Sequence, residues 1–161
     1  MTLRKIQKLQ LVWLVLGLGF NAASYWQINA GHAALSSTDA ISGGIFMAVC
    51  GIIIFAGLKG ATKVYKFIIP ILTLSLGYSG WFLHINAYLH DSTLPDYASF
   101  VSWLLVILIN TYGLITLLAG TWLAWRWKYL KNKSLFIVCL FHQGKRTIYI
   151  VNHDRKPDYS V

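Results

Sequence analysis

Four stretches of this chain, residues 9–28, 41–58, 67–89 and 97–124, run without a single Asp, Glu, Lys or Arg. Each is at or beyond the roughly 18 residues that a helix needs to cross the apolar interior of a bilayer. With 57% hydrophobic and only 12% charged residues in 161, the chain lacks the polar surface to enclose these stretches in a water-soluble globule, so they are expected to face lipid. The expected class is an all-α integral membrane protein. It comprises a four-transmembrane-helix bundle over residues 1–130 and a basic cytoplasmic tail over 131–161. Arg4, Lys5 and Lys8 precede the first stretch, but its length and the lack of a small-residue cleavage site favour a retained span over a signal peptide.

Charge sets the expected direction of threading. All 14 Lys and Arg residues lie before the first stretch, between the second and third, or after the fourth; residues 29–40 and 90–96 contain only Asp39, Asp91 and Asp96 as charged groups. Under the positive-inside rule both termini are cytoplasmic, and a bacterial inner membrane is the expected location. Trp26 and Trp81 fall toward the outer ends of their stretches, and Trp122, Trp125 and Trp127 toward the inner end of the last, as an interfacial aromatic belt requires. The net charge of +9 is then explained by topology and anionic lipid headgroups, without nucleic acid.

The tail differs from the rest. Residues 135–141 are apolar and β-rich in composition but too short to cross, and residues 147–151 alternate after a Gly144 turn signal, which predicts a β-hairpin. Its cations Lys145, Arg146, Arg155 and Lys156 are the candidate contacts for a cytoplasmic protein or an anionic ligand.

Small and polar residues recur at helical spacing in every stretch: Gly17, Asn21 and Ser24; Gly44, Ala48 and Gly51; Thr73, Gly77, Gly80 and His84; Ser99, Ser102, Asn110, Gly113 and Gly120. In lipid, helices associate through close approach at such residues and through shared hydrogen bonds, so the stripes are expected to form a packing seam. The alternative is a polar pathway, for which Asn21, Thr73 or Asn110 must face a cavity.

The outer segments hold most of the groups able to bind a metal, with His32, His84, His90 and Asp91 as the candidates. Axial haem ligation is disfavoured because the first, second and fourth stretches contain no histidine. A CxxC, a membrane carboxylate, a HExxH, a nucleophile elbow and a phosphate loop are all missing. The expected function is therefore non-enzymatic and needs no cofactor: a multi-pass protein acting through assembly, as a homo-oligomer or with other membrane subunits, with a tail that reads a cytoplasmic partner. A small oligomeric channel or effector pore is the alternative, and a subunit of a metal- or quinone-handling membrane enzyme a more distant one.

Overall fold

The structure, a computed structural model, describes residues 2–134. These are 82% helical, without a strand. The helices are α1 (Leu3–Asn29), α2 (Ala40–Leu58), α3 (Thr62–Ser75), α4 (Leu83–His90) and α5 (Phe100–Ser134), and a π-helical segment Leu76–Phe82 joins α3 to α4. Four helical segments are long and apolar enough to cross a membrane: Leu3–Asn29, Ala40–Leu58, Thr62–His90 and Phe100–Arg126. The predicted hairpin, with Lys145, Arg146, Arg155 and Lys156, lies outside the described residues. Residues up to Ala124 pack as one compact unit and those from Trp125 belong to a second; the packing below is that of the first.

The helices overrun the apolar stretches. α1 starts at Leu3 and α3 at Thr62, because Arg4, Lys5, Lys8, Lys63 and Lys66 are compatible with helix and let it continue beyond the apolar stretch. α5 continues past residue 130 to Ser134, and it begins at Phe100, so Tyr97 stands before the helix and not inside it. Just upstream, Leu94 takes a positive φ of 53°, which no helix continues through. Ser99 and Ser102 then cap the start reciprocally: the Ser99 amide donates to Ser102 Oγ at 3.0 Å and the Ser102 amide to Ser99 Oγ at 3.1 Å. α1 and α2 each stop at a glycine of positive φ, Gly31 at +79° and Gly60 at +104°. The amides just after them, His32 and Ala61, bond back to the Gln27 and Ala56 carbonyls, closing both helix ends as Schellman-type turns.

Asp39 caps α2, as its position before the second stretch predicts: it accepts the Ser42 amide at 2.8 Å. That bond holds its carboxyl below the ordinary value of 3.8. Since the folded group has the lower pKa, its stabilisation is complete above the unfolded pKa and is lost as pH falls through the folded one. Protection of the Ser42 amide, its exchange measured against that of an unstructured peptide at the same pH, is therefore expected to fall on acidification below 3.8 in the wild type but not in Asp39→Asn, which keeps the acceptor without the titration. Equal acid profiles in the two proteins would remove the cap from the account.

The buried faces have seven-residue regularity. On α1 it runs through Gln7, Gln10, Leu14, Gly17 and Ser24, flanked by Leu3 and Asn21; on α2 through Ala40, Gly43, Met47, Cys50, Ile54 and Gly57; on α5 through Val106, Asn110, Gly113, Leu117, Gly120 and Ala124. Trp13, Cys50, Ile54, Tyr65, Ile69 and Leu117 meet in one hydrophobic core drawn from all four long helices. Glycines admit the large side chains: a β-carbon on Gly113 would strike the Trp13 indole, one on Gly57 the Gln7 amide and Tyr65 ring, and one on Gly120 the Gln10 amide and Tyr65 hydroxyl. The expected seam on α2 needs correction. Gly44 has nothing within 4 Å and Gly51 only an ordinary contact with Leu14, while Ala48 is exposed; the close contacts use Gly43 and Gly57 instead. Opposite the core the surface is apolar, with Val15 70%, Trp26 78%, Leu74 75% and Leu89 75% exposed, a pattern suited to lipid.

Candidate functional site

Buried polar groups gather at two levels. Toward the basic end, Gln10 joins three helices: its Nε2 donates to the Thr116 carbonyl at 2.9 Å and its Oε1 accepts the Tyr65 hydroxyl at 3.0 Å. Gln7 is 1% exposed, and its Nε2 has no hydrogen-bond partner among the described residues. These glutamines were not singled out in the sequence, although their three-residue step leads into the same face as Gly17, Asn21 and Ser24.

The second level lies at the acidic end, under the two connections that carry Asp39, Asp91 and Asp96. His84 is 1% exposed there. Its Nδ1 lies 2.5 Å from the Tyr97 hydroxyl and its Nε2 3.3 Å from Thr38 Oγ1, while Ser37 Oγ lies 3.0 Å from the same Tyr97 oxygen. One arrangement satisfies every group: Ser37 donates to Tyr97, Tyr97 donates to His84 Nδ1, and the His84 Nε2–H donates to Thr38. Burial pushes the Tyr97 phenol above its ordinary value of 10.0, so it remains a neutral donor near pH 7. Trp103 Nε1 donates to the His84 carbonyl at 2.9 Å. His84 thereby fastens the α1–α2 connection to the turn before α5. Tyr97, Ser37, Thr38 and Trp103 carry no motif, and only their convergence in space marks them.

Beneath this latch is a cavity of about 60 Å³, with Asn21, Ser36, Thr38, Gly80, His84 and Asn110 on its walls. It is large enough for water or a ligand of a few heavy atoms. The Asn21 amide nitrogen donates to the Gly17 carbonyl at 2.8 Å, and that of Asn110 to the Gly80 carbonyl. Gly80 lies in the π-helical segment, where the Leu83 amide bonds back to Tyr78; such extra-residue turns often mark functional sites. The polar-stripe candidates therefore divide. Asn21 and Asn110 line the cavity, whereas Thr73 does not, its hydroxyl donating to the Ile69 carbonyl at 2.7 Å.

The metal candidates are dispersed. His32, His90 and Asp91 are exposed, and His84 is held by the latch. Asp91 accepts the Thr93 amide and hydroxyl. Among the described residues no group of three or more His, Cys, Asp or Glu side chains is placed to hold a metal ion.

Outside the core, α1 and α2 border a surface groove lined by Leu18, Asn21, Ala22, Tyr25, Ala40, Ile41 and Gly44. Half-buried Gly44, on the groove wall, and exposed Ala48 lie four residues apart on the side of α2 away from its core contacts, a spacing at which membrane helices pack closely.

Among the described residues, fold and site together show an all-helical arrangement with four helices long and apolar enough to cross a membrane, built around an inward polar seam. Compared with protein-family models, curated proteins and solved structures, the chain has no match.

Proposed function

We propose that this is a four-span integral membrane protein of a bacterial inner membrane, a helical bundle with both termini cytoplasmic, that acts without catalysis by assembling in the bilayer. Self-association through α2 is the assembly we favour, with other membrane subunits as the rival partners and the tail 131–161 reading a cytoplasmic partner. The observation that carries this reading is the outward pair Gly44 and Ala48, next to the α1–α2 groove. Small residues turned away from the chain's own core add nothing to its internal packing, yet they allow another helix backbone to approach. A pore between copies is supported less well. The polar residues such a lumen needs are turned into the chain itself, with Thr73 5%, Asn110 6% and Thr116 4% exposed.

Gly44→Leu should therefore lower the native mass in detergent and reduce disulfide cross-linking through an Ala48→Cys reporter in membranes. Thermal stability of the monomer should hold, because a β-carbon at Gly44 has nothing within 4 Å and the rest of the side chain can extend into the open groove. Undiminished cross-linking with Gly44→Leu would exclude this face, and a monomeric wild type captured only with a different membrane subunit would exclude self-association.

A further inference from the structure

The cavity under the His84 latch has an unusual hydrogen-bonding balance. Asn21 and Asn110 turn their amide nitrogens to helix carbonyls, and their Oδ1 atoms have no hydrogen-bond partner among the described residues. The Ser36 hydroxyl donates to the Thr38 carbonyl at 3.3 Å and the Ser79 hydroxyl to the Ser75 carbonyl at 2.8 Å, so both oxygens keep lone pairs. Thr38, which accepts from His84, keeps a hydroxyl proton, but the rest of the polar wall offers mainly acceptors, and no Lys or Arg lines it. Phe20 and Phe46 are part of the remaining, largely carbon wall.

We propose that this cavity binds a small protonated amine, an alkylammonium of a few heavy atoms, admitted from the acidic end of the molecule. The ammonium N–H groups match the unpaired Asn21 and Asn110 oxygens and the serine lone pairs, and the alkyl portion lies against Phe20 and Phe46. Aromatic neighbours also favour an organic cation over an anion. An alkali ion is a poorer match, because it requires a nearly complete shell of oxygens and this wall is mostly carbon. Long-range charge acts in the same direction: residues 29–40 and 90–96 contain Asp39, Asp91 and Asp96 and no Lys or Arg, which raises the local cation concentration at the entrance. The segment with Ser36, Ser37 and Thr38 forms the roof, held shut by His84 and Tyr97. The cavity shares Asn21 with the wall of the α1–α2 groove, but its other polar residues, Ser36, Ser79 and Asn110, lie outside that groove, and binding does not rest on assembly.

The test uses the full chain in detergent, titrated calorimetrically with methylammonium chloride at constant ionic strength. A ligand this small binds in the millimolar range at best. Saturable methylammonium binding is expected, with sodium, acetate and methanol giving at least about tenfold weaker responses, since only the ammonium forms charge-assisted hydrogen bonds. Tetramethylammonium, which lacks N–H donors, should not compete. Asn110→Asp places a carboxylate in the wall and should tighten binding about tenfold or more. Asn21→Leu, at a half-buried position, should weaken it by a similar factor. Lack of saturation, methanol binding as well as methylammonium, or unchanged affinity in Asn21→Leu would each overturn the proposal. If Asn110→Asp does not fold, Asn21→Leu and the wild-type ligand series decide the matter.

Discussion

Trp13→Ala is expected to destabilise the protein by about 3–5 kcal/mol, the range for removing a fully buried large aromatic. Trp13 is 0% exposed and lies in the core where α1 meets α5. The loss is one of packing alone, because Trp13 Nε1 has no hydrogen-bond partner among the described residues; Trp13→Phe, which deletes that unpaired N–H, should cost much less. Gly113→Leu attacks the same contact from the other side, since even a β-carbon would collide with the indole, and overpacking of this kind costs about 1–3 kcal/mol or more. The two changes occupy one volume, so the double variant Trp13→Ala/Gly113→Leu should be more stable than the sum of the singles predicts. Thermal unfolding in detergent, run as a double-mutant cycle, measures the coupling. Additive effects would show that Gly113 and Trp13 do not share a contact.

The second large effect is expected at the latch. His84→Leu removes the closest partner of the buried Tyr97 hydroxyl, which keeps only Ser37, and the imidazole that holds the exposed Thr38; losing a buried hydrogen bond of this kind costs about 1–3 kcal/mol. Tyr97→Phe should cost a comparable amount by leaving His84 Nδ1 without its donor, and the pair should be non-additive. A structural side effect separates the latch from a generic core contact: hydrogen exchange should rise over residues 36–38 and 94–97 in both variants. Loss of stability with unchanged exchange in those segments would show that His84 supports the helices without holding the connections.

Much of the architecture is legible along the chain. The four long helices coincide with the four charge-free stretches, because length and apolarity are local properties that a window of residues contains in full. Asp39 is identifiable as a cap from its place before the second stretch. Helix ends are less legible: the apolar window stops where lipid compatibility stops, whereas Lys and Arg continue the helix, and Tyr97 is kept out of α5 because the Ser99–Ser102 cap starts the helix after it. The site is less legible still. Asn21, Asn110 and His84 stand out individually as polar residues in apolar stretches, but no spacing announces that they share a cavity with Ser36 and Thr38.

Apolar content and the segregation of basic residues are thus readable without coordinates, and they lead to four long helices with acidic connections at one end. How each helix is rotated about its own axis was decided only by tertiary packing. On α2 nearly every side chain is apolar or small, so hydrophobicity hardly distinguishes the inward face from the outward one, and the choice rests on steric fit: Gly43 and Gly57 receive Asn21, Gln7 and Tyr65, while Gly44 is left facing out. That rotation, repeated with Trp13 against Gly113 on α5, turns Asn21 and Asn110 toward one cavity. Complementary shape is a property of two surfaces in contact, and a single stretch of sequence carries only one of them.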